Sequence, residues 1–293
     1  ISSMGNNKPL IVIDGIPQYS VPGDFDLSSA DAEDIGNLVN IALQDIKSIE
    51  VLKDAASTAV YGSKGADGVL IIETYKGRLG KVQFDYSYKT SINYQPPAIP
   101  MLNGDEYIML QLEEWHNNYG VFNIPSEIAY DKDYVDFYNY SANTDWIGAI
   151  TQNSVTNDHY FNISGGGEKT RYFTSLSYVD EGGTTINTSS KRFSTRVNLD
   201  YFLSRKLVFS VQFNYTNNNT DGNLILKDEN YKDRNIREMA YIKAPNMSIW
   251  EHDAYGKLTG EYFTPINSYQ GNGVLYHNPV AVANLGKHDK LEN

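Results

Sequence analysis

The chain has 293 residues, 41% of them apolar, which is enough for a folded core in one large or two ordinary domains. Its 36 acidic and 24 basic side chains leave a net charge of -12, which argues against a nucleic-acid partner, since that needs a basic stripe. With no cysteine there is no disulfide framework or thiolate metal site, and with no run of 18 apolar residues no helix that crosses a membrane, although a membrane β-barrel stays open.

In chain order, Pro9 to Gly15 predicts a short buried strand ending in an Asp14-Gly15 turn. Residues 18 to 44 are acidic and weakly periodic, and predict a loop with one helical turn. Asp45 to Gly77 reads as strand, short helix, glycine turn and strand. Ile46, Ile49, Val51 and Leu52 suit a covered strand. Asp54 offers an N-cap carboxylate, and Ala55, Ala56 and Ala59 favour one or two helical turns. Gly62 stands where a left-handed C-cap belongs, and Gly62, Gly65 and Gly68 together predict a tight plug turn. Val69 to Ile72 is the second buried strand, so the unit is expected to be βαβ with a short crossover helix. The glycine turn is not a phosphate cradle: Lys64 precedes Gly65, and a strand rather than a helix follows.

Three blocks in this region carry a family resemblance. They are Val12-Ile13-Asp14-Gly15-Ile16-Pro17, Ile49-Glu50-Val51-Leu52-Lys53-Asp54-Ala55, and Tyr61-Gly62-Ser63 with Gly65-Ala66-Asp67-Gly68-Val69. In order and spacing they resemble the end of the plug domain in the SusC/RagA branch of TonB-dependent outer-membrane transporters. Ser164-Gly165-Gly166 and Asn278-Pro279 match more weakly. The resemblance implies an importer of glycans or peptides in the bacterial outer membrane, without covalent chemistry or a cofactor. It implies that the TonB complex pulls on a segment upstream of Ile1, and that plug residues Pro9 to Gly77 gate the pore. A SusD-like surface lipoprotein would cap the barrel, and the transporter–lipoprotein pair would form a dimer.

Gly77-Arg78-Leu79-Gly80 is a natural boundary, which divides the chain into residues 1–77, the later part of the plug, and residues 78–293, the start of the barrel. Beyond it the period becomes two. Val82, Phe84, Tyr86, Tyr88, Ile92 and Tyr94 alternate with polar residues, giving a strand longer than the roughly 9–11 residues needed to cross a bilayer. Pro96, Pro97 and Pro100 stop it. Asn103 and Glu106 form a capping-box pattern, and Ile108, Leu112, Trp115 and Tyr119 share one face of a helix predicted over Gly104 to Asn117. Alternation resumes at Val155 and continues through Tyr172 to Tyr178, Phe193 to Tyr201 and Leu207 to Tyr215. From Asn217 it is lost, and residues 217–293 read as one long loop with a short helix over Ile236 to Ile242.

The connections alternate long (96–154), short (165–169), longer (180–190), short (202–205) and very long (217 onward), as in outer-membrane barrels. A sandwich has no reason for such parity. The fold is therefore expected to be mainly β, an α+β plug followed by the first strands of a transmembrane antiparallel barrel. Five strands cannot close around a plug, which needs about 22, so an internal fragment is expected.

The aromatics are the best binding candidates. Tyrosine is the compositional outlier, with 23 Tyr against 11 Phe and 3 Trp, and such rings suit wet–apolar boundaries and carbohydrate surfaces. Trp115, His116, Tyr119, Tyr130, Tyr134 and Trp250 fall in the predicted outer loops and are candidates for contact with substrate or a lid protein; their bland role is to hold the loops together. Asp221, Asn223 and Asp228 are weak calcium candidates lacking EF-hand ligand order. Glu113-Glu114 and Asp131/Asp133 read as exposed acidic surface, and no histidine falls in a metal motif. The rival function is a soluble or surface-displayed β-rich glycan-binding or adhesive module that does not transport.

Overall fold

The structure is a computed structural model and describes residues 9–18, 41–223, 235–265, 277–286 and 289–292. Its first part is a four-stranded sheet of β1 (Leu10–Ile13), β2 (Ile16–Gln18), β3 (Ile46–Leu52) and β4 (Val69–Thr74), in the order β2-β1-β4-β3. Asp14 at φ 50° and Gly15 at φ 88° make the turn between β1 and β2. Asp54 accepts from the Ser57 amide at 2.9 Å and caps α1 (Ala55–Thr58), which continues as 3-10 turns through Gly65.

Both buried runs are strands, but the expected βαβ crossover is not what joins them. β3 and β4 are antiparallel, with Leu52 opposite Val69, and the parallel partner of β4 is β1. Apolar runs show burial, not direction, and the short helical turn reverses the chain. β3 is also less covered than expected: it lies at the sheet edge, with Val51 41% exposed. The core of this unit is Leu10, Val12 and Val69, with Leu52, Tyr61 and Ile71 packed around them. Gly62 adopts φ 64°, ψ -150°, which is not the left-handed helical cap expected but a kink that only glycine takes easily. Gly65 has an ordinary φ and is small for another reason: a Cβ there would stand 2.8 Å from the Thr58 carbonyl oxygen.

The second part is an antiparallel meander of long strands, β5 (Gly80–Asn93), β6 (Ser154–Gly166), β7 (Thr170–Gly182), β8 (Ser189–Ser204) and β9 (Leu207–Gly222). Its register joins Tyr86, Phe161, Leu176, Thr195 and Tyr215 into one row, so every strand turns its aromatic side to the same face. That face is bare: Phe84 is 65% exposed and Phe213 53%. On β8 the aromatic face runs from Phe193 to Leu203, interrupted only by Thr195. At about 3.3 Å per residue and a tilt near 40°, this stretch rises about 25 Å, the height of a barrel's apolar band. The opposite face is polar, and the plug covers part of it on β6 to β8, so Ser175, Arg196 and Asn198 are buried.

Two boundaries differ from the sequence reading. The loop expected over 180–190 shrinks, because β7 ends at Gly182 and β8 begins at Ser189. β9 continues to Gly222, because beyond Tyr215 its outward positions become Asn and Asp without the ladder ending. Residues 217–293 are accordingly not loop throughout. They contain a helix over Ile236–Ile242, a hairpin of Trp250–His252 with Leu258–Tyr262, a helix over Pro279–Leu285, and β12 (Asp289–Glu292), which pairs with β9. Among the described residues six strands, not five, therefore lie in the sheet, in the order β12-β9-β8-β7-β6-β5.

The long connections fold together into one layer. The first holds α2 (Gly104–Tyr119), α3 (Phe137–Tyr140) and α4 (Trp146–Ile150); the second holds α5 (Ile236–Ile242), β10 (Trp250–His252), β11 (Leu258–Tyr262) and α6 (Pro279–Leu285). The predicted capping box at Asn103 and Glu106 is present. Tyr140, Trp146 and Ile150 share a core with Ile236, Met247, Phe263 and Val280. Buried asparagines supply the polar joints: Asn246 donates to the Tyr140 carbonyl at 3.1 Å, and Asn139 donates to the His252 carbonyl at 2.9 Å. Arg237 ties the layer to the segment after β5 through Gln95 and to the β7–β8 connection through Thr184 and Thr185.

Candidate functional site

The plug rests on the polar face of the strands through a few buried contacts. Asp14 receives the Thr74 amide at 2.9 Å, the Thr74 hydroxyl at 2.6 Å, and the Arg196 Nη2 of β8 at 2.6 Å. The Arg196 and Asp14 side chains are 5% and 1% exposed, so this ion pair is dry. Asp45 closes a 3-10 turn, Leu43–Asp45, and receives the Tyr160 hydroxyl and the Ser175 hydroxyl, each at 2.7 Å. Burial pushes the Asp45 carboxyl above its ordinary range, against the opposing pull of those two hydroxyls and of Arg196. Asn198 donates to the Tyr75 carbonyl at 2.8 Å, and the Tyr75 ring stacks on Phe173.

Geometry of this kind docks without gluing. A dry apolar seam would resist separation in proportion to its area. A polar seam exchanges its hydrogen bonds for water at a net cost of about 0.5–1.5 kcal/mol each. The Asp14–Arg196 ion pair, with the Tyr160 and Ser175 hydroxyls on Asp45, therefore makes a latch of few contacts. The exit of the plug is fixed too. Gly77 passes so close to the β7 backbone at Arg171 and Tyr172 that a Cβ would overlap it.

Above the latch lies a cavity of about 1010 Å³, walled by polar-face residues of β5 to β9 and by Leu43 and Gln44 of the plug. Gln44 donates to the Asp158 Oδ2 at 2.8 Å.

The aromatic candidates sit elsewhere. Trp115 donates to the Phe122 carbonyl at 3.1 Å and packs on Tyr119, ring centroids 4.4 Å apart. The His116 carbonyl receives the Gly120 amide at the end of α2. Tyr130 donates to Asp105 at 2.7 Å, and Tyr134 packs on Tyr140. Trp250 stacks on Tyr262 at 4.4 Å. These residues are spread through the loop layer, and none lines the cavity. Asp221 lies in β9, Asn223 donates to the Ile186 carbonyl at 3.0 Å, and Asp228 lies outside the described residues. Among the described residues no three His, Cys, Asp or Glu form a metal-sized group.

Sequence reasoning missed Asp45, Arg196 and Tyr160 as partners. The signal within reach was Arg196 itself, a long cation on the polar side of a strand whose neighbours there are mostly uncharged.

Comparison with known proteins agrees with this geometry. The TonB-dependent Receptor Plug Domain family matches residues 1–69. The TonB-dependent receptor SusC of Bacteroides thetaiotaomicron is 28% identical over 98% of this chain and 27% of that protein. The TonB-dependent receptor P26 of Formosa agariphila is 33% identical over 73% of this chain and 20% of that protein. A structure of the RagAB peptide transporter superposes with a TM-score of 0.60 at 22% identity, over 91% of this chain and 30% of the other. The chain thus spans less than a third of the length of each of these relatives. With a plug-family match at its start, similarity to SusC along nearly all its length, and its plug docked on the polar face of a strand meander, the chain resembles a fragment of a SusC/RagA-type TonB-dependent receptor.

Proposed function

We propose that this chain supplies the gate and the first wall of an outer-membrane importer that takes up glycans, oligosaccharides or peptides with energy delivered through TonB. The observation that carries the reading is the two-faced sheet: aromatic side chains stand exposed on one face, while the other seats a plug through Asp14, Asp45 and Arg196. Such a wall meets acyl chains outside and encloses a corked, wet path inside. A pull on the plug breaks the latch, and the polar face left behind is already suited to water. No step makes or breaks a covalent bond, so the chain is not an enzyme. Support for the import class comes from the SusC receptor and from RagAB, described as a peptide importer.

The partners follow from the same reading. A SusD-like lipoprotein would sit on the loop layer, where Met109, Phe122 and Tyr255 are 69%, 75% and 91% exposed. The TonB complex would act from the opposite side, and the transporter–lipoprotein pair would dimerise.

The test uses the complete receptor in cells. Labelled oligosaccharides and peptides are offered with and without a functional TonB, and the receptor is extracted with and without detergent. Uptake that needs TonB, by a receptor that extracts only in detergent and migrates as a heat-modifiable barrel, is expected. A receptor found in the soluble fraction overturns the reading.

A further inference from the structure

The two ends of the strand meander carry opposite charge. At the long-loop end, residues 96–154 hold nine Asp and Glu against one Lys, Lys132, and no Arg. At the short-turn end the balance reverses. Lys169 stands in the β6–β7 turn, and Arg205 and Lys206 make the β8–β9 turn. Lys81 follows Gly80, which pairs with Gly166 at the foot of β6. Glu168 is the lone acidic residue of the two turns. All four cations are exposed, and none forms an ion pair among the described residues.

The two turns are neighbours, and hydrogen bonds hold them in place. The Phe202 amide donates to the Lys169 carbonyl at 2.8 Å, which ties the β6–β7 turn to the end of β8. The Ser204 hydroxyl accepts the Lys206 and Leu207 amides at 3.2 and 3.1 Å, which fixes the β8–β9 turn. The cations therefore form a strip along one rim. Next to it Leu203, Leu207 and Phe209 stand exposed on the apolar face. A molecule whose acyl chains lie on these three side chains places its headgroup at the strip. Arg grips a phosphate through its planar fork, and Lys holds it as a point charge. An ammonium in the same headgroup would be repelled by the cations, so an anionic headgroup is preferred to a zwitterionic one. We propose that the short-turn rim is a binding site for an anionic phospholipid of the phosphatidylglycerol class in the leaflet facing the periplasm. Its acyl chains follow β8 and β9, and its phosphate meets Lys169, Arg205 and Lys206. The proposal rests on the reading of the meander as a barrel wall, and adds to it a choice of lipid.

The experiment uses the complete receptor purified in detergent. Phosphatidylglycerol and phosphatidylcholine are titrated in, and bound lipid is counted by native mass spectrometry. Phosphatidylglycerol is expected to bind roughly tenfold or more tightly than phosphatidylcholine, since each basic side chain near an anionic headgroup strengthens binding about fivefold. Lys169→Gln, Arg205→Gln and Lys206→Gln combined should weaken phosphatidylglycerol about tenfold or more and leave phosphatidylcholine unchanged. Lys191→Gln, near the other end of β8, should keep the preference. A parent without the preference, a combined variant that keeps it, or an equal loss in Lys191→Gln overturns the proposal. Glycerol 3-phosphate that displaces the lipid at equal concentration marks an anion site indifferent to acyl chains, and overturns it too. Heat-modifiable migration and TonB-dependent uptake are scored separately, so a folded importer without the lipid preference fails this proposal alone.

Discussion

Replacing Arg196 with methionine keeps most of the side-chain volume and removes its charge. Asp14 is then left without its cation, its side chain 1% exposed and still holding the two Thr74 bonds at 2.9 and 2.6 Å. Breaking one side of a buried pair costs about 3–5 kcal/mol. The surviving Thr74 bonds place this case at the lower end, about 3 kcal/mol, which raises the undocked population roughly 100-fold. The double variant Asp14→Asn with Arg196→Met leaves no buried charge unpaired and should cost about 1–2 kcal/mol, less than either single change. Hydrogen exchange of β1 and β4 in the complete receptor reads the undocked fraction directly. Arg196→Met exchanging within threefold of the parent, or a double variant costing the sum of the singles, would refute the latch.

Three further outcomes are expected. Burial raises the Asp45 carboxyl above its ordinary 3.8, so the docked plug holds that proton more tightly than the undocked one. Its contribution to docking is full below pH 3.8 and is lost as pH rises through the raised value; Asp45→Asn should flatten that slope in a proteolysis series, and an unchanged slope would assign it to another group. Gly62→Ala and Gly65→Ala should each destabilise the plug by about 1–3 kcal/mol for opposite reasons, backbone strain in open space and overlap at an ordinary φ. Thermal unfolding checks this, and shortening the Thr58 side chain should not rescue Gly65→Ala, because the overlap is with the Thr58 backbone oxygen. Ile150→Ala, at a fully buried position of the shared loop core, should cost about 2–5 kcal/mol and speed exchange in residues 235–265; a response confined to 96–153 would show two separate loops.

Local rules made the strands and one helix readable. The period of two in β5 to β9 marks both faces of each strand, because side chains alternate across the sheet and each face keeps one polarity. The Asn103–Glu106 box placed α2 within two residues at its far end. Direction was not readable: the runs at Ile46 to Leu52 and Val69 to Ile72 are apolar whichever way they pair, so the antiparallel β3–β4 pairing was missed. β12 is four residues long, too short to show a period. The latch was hidden by sequence separation. Asp14 and Arg196 lie 182 positions apart, and nothing local tells a carboxylate at a turn that its partner is on a distant strand. The same distance hid the loop core, where Trp146 donates to the Ala244 carbonyl across 98 positions.

This chain has no cysteine of its own, so with any cysteine elsewhere in the complete receptor replaced, single cysteines read one strand in lipid. A fluorophore at Phe213 and one at Gln212 stand on opposite faces of β9. Quenching by brominated acyl chains at Phe213 and none at Gln212 is the predicted pattern. Equal quenching at both, or water-borne quencher reaching Phe213 first, would contradict a wall with one face in lipid and the other on the plug.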